Sequence, residues 1–182
     1  CMGRVYGLPQ ESGSRESMSG LVSNPMDKPE ASKVTLFGIA DYAWNINGFK
    51  SDEAWKEGIV RLYPQAAEAM QAFVDHNSDQ GPNGHGYRRE ESVNIAPVVT
   101  RVLEAAREGR VVKSDTALLK KEFSRMAAAA PVIREKVDNP RLMKEIGAWV
   151  DAFEQLGMAG QHAVAALENS SPKAAVTALV KA

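Results

Sequence analysis

The feature that most constrains the fold is a change of pattern near residue 50. From Ser51 onward, apolar residues recur at three- and four-residue spacings, and no stretch alternates apolar and polar residues as a strand would. Such spacing places apolar side chains on one face of a helix, and consecutive helices of this kind pack as an antiparallel bundle. The sequence therefore predicts a mainly α protein with a helical bundle domain over residues 51–182. The predicted core positions are Trp55, Ile59, Leu62, Ala66, Met70, Phe73, Val74, Ile95, Val98, Val99, Val102, Leu103, Ala106, Leu119, Phe123, Met126, Ala130, Ile133, Leu142, Ile146, Trp149, Val150, Phe153, Leu156, Val164 and Leu167.

Three residues predict interruptions of these helices. Pro131 lies inside a helical pattern and predicts a kink or a break, since proline costs about 3 kcal/mol in a straight helix. Gly157 and Gly160 each cost about 1 kcal/mol relative to Ala, so a break near them is also predicted. A short helix over residues 173–180 is predicted to close the domain. Alanine runs at 127–130 and 163–166 permit close helix packing or a flat face for a partner helix.

The first 50 residues have a different organisation. Residues 1–27 are rich in Gly, Ser and Pro, and the apolar pair Leu21-Val22 predicts one short strand that turns at Asn24-Pro25. Asp27 is predicted to cap a helix that ends around residues 45–48. The apolar face of that helix is predicted to consist of Leu36, Ile39, Ala40 and Ala43. Since one strand and one helix cannot enclose a core, and the chain opens Cys1-Met2 without an initiator Met, we expect a piece of a longer protein.

Composition excludes several classes of function. Twenty-two Lys and Arg against 23 Asp and Glu give a net charge of -1, so nothing favours nucleic acid or an anionic membrane as a partner. No apolar run approaches the roughly 20 residues that span a bilayer. The single cysteine, Cys1, excludes an internal disulfide and a Cys-based zinc cluster. The sequence also contains no Asp-Asp pair, no Gly-x-Ser-x-Gly elbow and no Walker-type phosphate loop.

A polar, glycine-rich stretch from His76 to Ser92 joins two amphipathic helices. His76, Asp79 and His85 are competent ligands for zinc or manganese, so a metal site is one hypothesis. No pair of them has the i, i+4 spacing of a helical zinc site, and glycines make a poor rigid scaffold. A structural loop is therefore the favoured interpretation, and no metal or other cofactor is predicted.

Asn24 is the candidate ligand-binding residue. It follows the predicted strand directly, and in barrel enzymes the active site lies at the carboxyl ends of the strands. Its carboxamide would present both a donor and an acceptor to a ligand. The alternative is an Asn that turns the backbone before proline, which the residues alone favour.

Three strings carry a family resemblance. Residues 18–26 (MSGLVSNPM), 30–33 (EASK) and 40–45 (ADYAWN) resemble the last strand and helix of the barrel in glycoside hydrolase family 84, the bacterial β-N-acetylglucosaminidases similar to animal O-GlcNAcase. The loop at residues 76–92 is similar to one in the helical domain of these enzymes. The resemblance implies that residues 1–50 are the carboxyl-terminal remnant of a (β/α)8 barrel, a TIM-type fold, placed before the bundle.

The same resemblance implies what the chain does and does not carry. The family cleaves terminal N-acetylglucosamine with retention, using the substrate's own acetamido group as nucleophile. The Asp-Asp pair that orients this group and supplies the acid matches nothing in this sequence, so no catalytic residue is assigned and the chain alone is expected to be inactive. Only Asn24 is carried over, as a residue that hydrogen-bonds sugar hydroxyls. The expected partners are N-acetylglucosamine-bearing glycoconjugates and, by similarity to the animal helical stalk, a second copy of the chain. The parent enzyme is expected to be exported or periplasmic.

Overall fold

The computed structural model describes residues 2–5, 20–24, 27–78 and 92–169, and this part of the chain forms six α-helices. These six helices confirm the prediction of a mainly α fold for the described residues. None of the helices combines the length and the apolar character that crossing a membrane requires. The helices are α1 (Pro29–Trp44), α2 (Ser51–Leu62), α3 (Ala67–Asp75), α4 (Ala96–Arg107), α5 (Lys113–Lys136) and α6 (Pro140–Asn169).

Helices α5 and α6 form a long antiparallel pair. At one end Arg134 contacts Asp151, and at the other the Thr116 hydroxyl donates to Glu168 over 2.9 Å. Neither predicted break is present, because α5 continues through Pro131 and α6 is a single helix of 30 residues. The kink that Pro131 also predicts stays a prediction.

The glycines of α6 serve the packing of this pair rather than a break. A Cβ at Gly157 would lie 2.7 Å from the backbone nitrogen of Ala127, and one at Gly160 would lie 2.4 Å from the ring of Phe123. The two helices approach too closely at this crossing for any larger residue, so tertiary packing outweighs the low helix propensity of glycine.

One apolar core joins the two parts of the chain on either side of residue 50. Met2, Ala31 and Val34 belong to the same buried cluster as residues of α2, α3, α5 and α6. A second cluster joins α4 to the amino-terminal half of α5 and the end of α6, through side chains such as Val102 and Leu119. Most of the predicted core positions are buried. Leu62, Ile95, Val99 and Phe123 are half-buried, and Leu103, Trp149 and Leu156 are exposed.

Helix α1 forms where it was predicted, but its predicted face is not the face that packs. Its buried residues include Ala31, Val34, Gly38 and Tyr42. Of the predicted face, Leu36 and Ile39 are half-buried, and Ala40 and Ala43 are exposed. The smaller residues pack because they admit the amino-terminal strip of residues 2–5, whose Val5 side chain lies 3.0 Å from the Cβ position of Gly38.

The predicted strand at Leu21-Val22 is not confirmed. Residues 20–24 have no strand geometry, and Val22 is 96% exposed. A strand requires a neighbouring strand for its backbone hydrogen bonds, and none is present among the described residues. The helix predicted over residues 173–180 lies outside the described residues.

Candidate functional site

Asn24, the predicted sugar contact, lies in the short described segment of residues 20–24. Its side chain is exposed, as are the neighbouring Leu21 and Val22. The segment therefore leaves the carboxamide accessible, and the assignment of Asn24 to sugar binding stays a prediction.

His76 lies at the end of α3 and is the centre of a buried hydrogen-bond network. Its Nδ1 lies 2.7 Å from the Ser92 hydroxyl, and its Nε2 lies 2.9 Å from Oε1 of Glu122 on α5. Its side chain is only 6% exposed, and its ring packs against Phe153 of α6. The imidazole thus connects α3, α5 and the start of the turn that leads into α4.

Arg125 extends this network along α5. Its guanidinium is paired with both Glu122 and Asp75. Although partial burial opposes the charge, the two carboxylates raise the pKa of Arg125 above its ordinary value. The backbone carbonyl of Asp75 also accepts a hydrogen bond from the backbone amide of Ser92, over 3.2 Å. Asp75 and Ser92, which lie at the two ends of the polar stretch, are therefore fixed to the bundle and to each other.

This geometry bears on the metal hypothesis. Both ring nitrogens of His76 are hydrogen-bonded within the protein, so a metal ion would have to break one of these contacts. Within the described ranges no three potential ligands come together around a common point. Asp79 and His85 lie outside the described residues.

The amino terminus of α1 contains the second polar cluster, which sequence reasoning missed. Instead of the predicted cap at Asp27, the carboxylate of Glu145 on α6 accepts the amides of Glu30 and Ala31, at 3.2 and 2.9 Å. A negative charge at a helix amino terminus satisfies free amides and interacts favourably with the helix dipole. No local sequence signal predicts this cap, since Glu145 is 114 residues from Ala31.

Glu30 strengthens the same junction. Its carboxylate accepts from Lys33 and from Asn139, the residue before α6, and these two contacts lower the pKa of Glu30. Nearby Tyr63 is buried, and burial together with the charges of Glu30 and Glu145 raises the pKa of its phenol. Helix α1 is therefore held to α6 by polar contacts as well as by its buried face.

The opposite side of α1 is partly exposed, and we call it the open side of α1. Its residues Ala40 and Ala43 are exposed, Leu36 and Ile39 are half-buried, and Trp44 at the end of the helix is 91% exposed. Exposed apolar residues next to an exposed tryptophan make this side of α1 a candidate contact surface.

An open groove of about 610 Å³ lies between α2, α3 and α5. Its walls are mostly small or apolar, including Ile59, Ala72, Ala129 and Val132, and Lys56 and Arg125 also line it. No pair of carboxyl groups converges in it, so its lining provides contact surface rather than acid–base chemistry.

The described residues thus define a class of protein: a mainly α-helical domain in which polar contacts fix α1 to α6. The comparisons with known proteins agree with this class. Residues 1–75 match the family model for beta-N-acetylglucosaminidase, and residues 91–180 match the model for the bacterial GH84 post-catalytic domain.

Two solved structures are similar over almost the whole chain. The structure of CpGH84D is 31% identical with a TM-score of 0.83, over 97% of this chain and 30% of that one. The structure of CpGH84B is 26% identical with a TM-score of 0.81, over 92% of this chain and 28% of that one. The chain belongs to glycoside hydrolase family 84 and corresponds to a carboxyl-terminal part of such a β-N-acetylglucosaminidase. It spans less than a third of the length of these two relatives.

Proposed function

We propose that this chain supports the catalytic barrel of a retaining β-N-acetylglucosaminidase that cleaves N-acetylglucosamine from glycoconjugates by substrate-assisted catalysis. The observation that carries the proposal is the two-sided α1. One side is fixed to the bundle by its buried face and by Glu145, and the opposite side is apolar and partly exposed. In this proposal residues 1–50 belong to the barrel, residues 51–182 form the supporting domain, and the open side of α1 packs against the strands of the barrel.

The polar junction supports the proposed role of α1 as a connector. A helix held only by apolar contacts can slide or rotate, whereas two directed hydrogen bonds at one end fix its position along its axis. The Glu145 carboxylate fixes α1 relative to α6, and the Trp55 indole, which donates to the carbonyl of Met2 over 2.8 Å, fixes the strip before it. The bundle would thereby set the position of the barrel's last helix.

Catalysis in this proposal depends on residues of the parent enzyme outside this sequence. The acid pair that orients the acetamido group and donates the proton has no counterpart here, so the chain alone should not turn over substrate. Asn24 would hydrogen-bond sugar hydroxyls from the edge of the barrel. Its loss would remove one contact to the sugar, worth roughly 1 kcal/mol, or a several-fold fall in kcat/KM.

The direct test uses a chromogenic β-N-acetylglucosaminide. The 182-residue chain should give no turnover above the blank, whereas the enzyme that contains it should be active. Turnover by the chain alone would contradict the assignment of catalysis to other residues. In the longer enzyme, Asn24→Ala should lower kcat/KM several-fold, and an unchanged kcat/KM would remove Asn24 from the sugar site.

The supporting role needs a separate test on the open side of α1. In the longer enzyme, Ala40→Glu places a charge on that side and should lower both the melting temperature and the specific activity. Ala117→Glu is the matched control, since Ala117 is an exposed alanine of α5 away from α1. Equal effects of the two substitutions would contradict packing of α1 against the barrel.

A second candidate function is association with another polypeptide through the helical domain. It is favoured by one specific surface, the side of α6 that carries the exposed Trp149 and Leu156. The two functions are compatible, because this surface belongs to a different helix from the open side of α1.

A further inference from the structure

The strip of residues 2–5 lies between α1 and α2, and side chains of these two helices donate hydrogen bonds to its backbone carbonyls. The three donors are the Trp55 indole, to the carbonyl of Met2 over 2.8 Å, the Thr35 hydroxyl, to that of Gly3 over 2.9 Å, and the Ser51 hydroxyl, to that of Val5. Buried carbonyls need acceptor contacts of this kind, and here side chains provide what a neighbouring strand provides in a sheet. We call the space between α1 and α2 that holds these residues the strip cleft.

The first and last residues of the strip fill apolar sites. Met2 is 3% exposed and belongs to the main buried cluster, together with Trp55. The Val5 side chain packs against a smaller buried cluster that contains Tyr42 and Phe49. The strip cleft therefore contacts side chains of the strip as well as its backbone.

The two middle residues make the contacts that depend most on residue type. A Cβ at Gly3 would lie 2.4 Å from the backbone oxygen of Ser78, so no larger residue fits there. The Arg4 guanidinium lies over the ring of Trp55, 4.6 Å from its centroid, and pairs with Asp52 over 2.6 Å. The cleft thus distinguishes both the size and the charge of the residues that it holds.

Both walls of the strip cleft are positioned by contacts that do not involve the strip. Glu145 fixes the amino terminus of α1 to α6. The Phe37 ring of α1 lies 3.0 Å from the Cβ position of Gly58 of α2, and Ile59 of α2 belongs to the main buried cluster. The cleft should therefore persist when the strip leaves it, as a binding site does.

We propose that the strip cleft is a peptide-binding site for a segment with the pattern large apolar–Gly–Arg–β-branched, and that residues 2–5 are the ligand that occupies it. In peptide-binding sites of this kind, backbone hydrogen bonds provide affinity and side-chain pockets provide specificity. The site holds the polypeptide before residue 6 to the domain independently of the covalent connection through residues 6–28. The proposal does not depend on the module against which the open side of α1 packs, so it goes beyond the supporting role proposed above.

The covalent connection determines how much affinity the site needs. A ligand tethered within the same chain has an effective concentration on the order of 1 mM. A dissociation constant of about 10 μM for the free peptide would then keep the cleft occupied about 99% of the time. Because the contact is confined to residues 2–5, we expect a dissociation constant of about 1–100 μM.

The test uses the full chain with the recognition sequence of a specific protease inserted after Ser12. The folded chain is cleaved, and dialysis removes the released amino-terminal piece. A fluorescent synthetic peptide of residues 1–7, with Cys1→Ser, is then titrated with the cleaved chain, and its anisotropy gives the dissociation constant. The uncleaved chain is the control, because its cleft is occupied by its own strip and it should bind the peptide about 100-fold more weakly.

Matched substitutions test whether the peptide occupies the strip cleft. The Gly3→Ala peptide should bind at least tenfold more weakly, because its methyl group would meet the backbone of Ser78. In the protein, Thr35→Val keeps the size of the side chain but removes one donor, so it should weaken binding about fivefold. Thr100→Val is the matched control, since the Thr100 hydroxyl donates within its own helix, and it should leave the affinity unchanged.

Circular dichroism before and after cleavage completes the test. A cleaved chain that keeps its helices but does not bind the peptide overturns the proposal. A cleaved chain that unfolds also overturns it, because residues 2–5 would then be part of the core and not the ligand of a formed site. Equal affinities for the wild-type and Gly3→Ala peptides would overturn the assignment to the strip cleft. All of these measurements report binding or folding and not glycosidase activity, so the proposal can fail while the supporting role stands.

Discussion

The close crossing of α5 and α6 makes a strong prediction about two glycines of the same helix. A Cβ at Gly157 would lie 2.7 Å from the backbone nitrogen of Ala127 and 2.8 Å from the carbonyl oxygen of Phe123. A Cβ at Gly147 would meet nothing within 4 Å. Gly157→Ala and Gly147→Ala therefore make the same chemical change in two opposite environments.

The magnitudes follow from two opposing effects. Alanine is favoured over glycine inside a helix by about 1 kcal/mol, so Gly147→Ala should raise the free energy of unfolding by up to that amount. At Gly157 the contacting atoms are backbone, so α5 and α6 must separate by several tenths of an ångström, and such overpacking costs about 1–3 kcal/mol. The net effect of Gly157→Ala should be destabilisation by up to about 2 kcal/mol. Gly160→Ala should fall between the two, because the atoms it would meet belong to the ring of Phe123, which can rotate away.

The assay is urea unfolding followed by circular dichroism, with thermal melts as a second measurement. The gain in helix propensity is common to both variants, so they differ by the overpacking cost of about 1–3 kcal/mol. For a chain of this size each kcal/mol corresponds to about 2–4 °C, so Gly157→Ala should melt roughly 2–12 °C below Gly147→Ala. The m-value should stay constant, which shows that the change lies in stability and not in the compactness of the unfolded chain. If Gly157→Ala proves as stable as Gly147→Ala, the close helix crossing described above is wrong.

Three further predictions concern single residues. Glu145→Ala should lower the free energy of unfolding by about 1–2 kcal/mol in urea, because it leaves two amides of α1 without their acceptor, and no change would refute this cap. Arg101 lowers the pKa of Asp115 below its ordinary 3.8, so the stability this pair contributes is present above that pH and is lost as the pH falls through the lower, folded value. Between neutral pH and about pH 2, the free energy of unfolding should therefore fall less in Asp115→Asn than in wild type. An equal fall in the two proteins, measured by urea unfolding at each pH, would contradict the stabilising role of the Arg101–Asp115 pair. Pro131→Ala should raise the melting temperature by a few degrees, since it restores a backbone donor inside α5, and a lower melting temperature would show that the ring of this proline is needed for packing.

The helical architecture was predictable because its signal is local. Each stripe of apolar residues fixes a helix and one face of it, and positions such as Phe73, Val102 and Leu142 are buried as their spacing indicates. The break predicted in α6 is wrong because the local pattern does not contain the contacts of the glycines. Helix propensity alone disfavours glycine, whereas Gly157 is required by the close approach of α5, which depends on residues about 30 positions away.

The local sequence pattern of α1 does not determine which of its faces packs on the bundle. Its sequence carries two apolar faces, and periodicity favours the one with the larger residues, Leu36 and Ile39. The face that packs on the bundle contains Ala31 and Gly38, because small residues admit the strip of residues 2–5. A helix that lies between two modules must carry two such faces, and nothing local indicates which of them faces which module.

The polar junctions were the least predictable part, since their partners are distant in sequence. His76 was recognised as unusual, but its bonds to Ser92 and Glu122 depend on the packing of α3 against α5. The metal hypothesis arose because His and Asp are ligands for metals and also partners for hydrogen bonds, and sequence alone cannot separate these two uses. Asn24 illustrates the opposite case, because its proposed role depends on the family resemblance and not on any contact within the chain.

The Glu145 cap connects these observations to the proposed function. If α1 were only a piece of the barrel that happens to lie beside the bundle, its amino terminus would need no acceptor from α6, because a local residue such as Asp27 suffices for most helices. The acceptor instead comes from α6, and Asn139 and Lys33 hold Glu30 in the same cluster. Displacing α1 from the bundle would therefore leave two backbone amides without their acceptor and separate Glu30 from Asn139. The free-energy cost of this displacement would be several kcal/mol. A connector between the barrel and the bundle requires such resistance, since the position of the barrel's last helix would otherwise vary with every fluctuation of the contact.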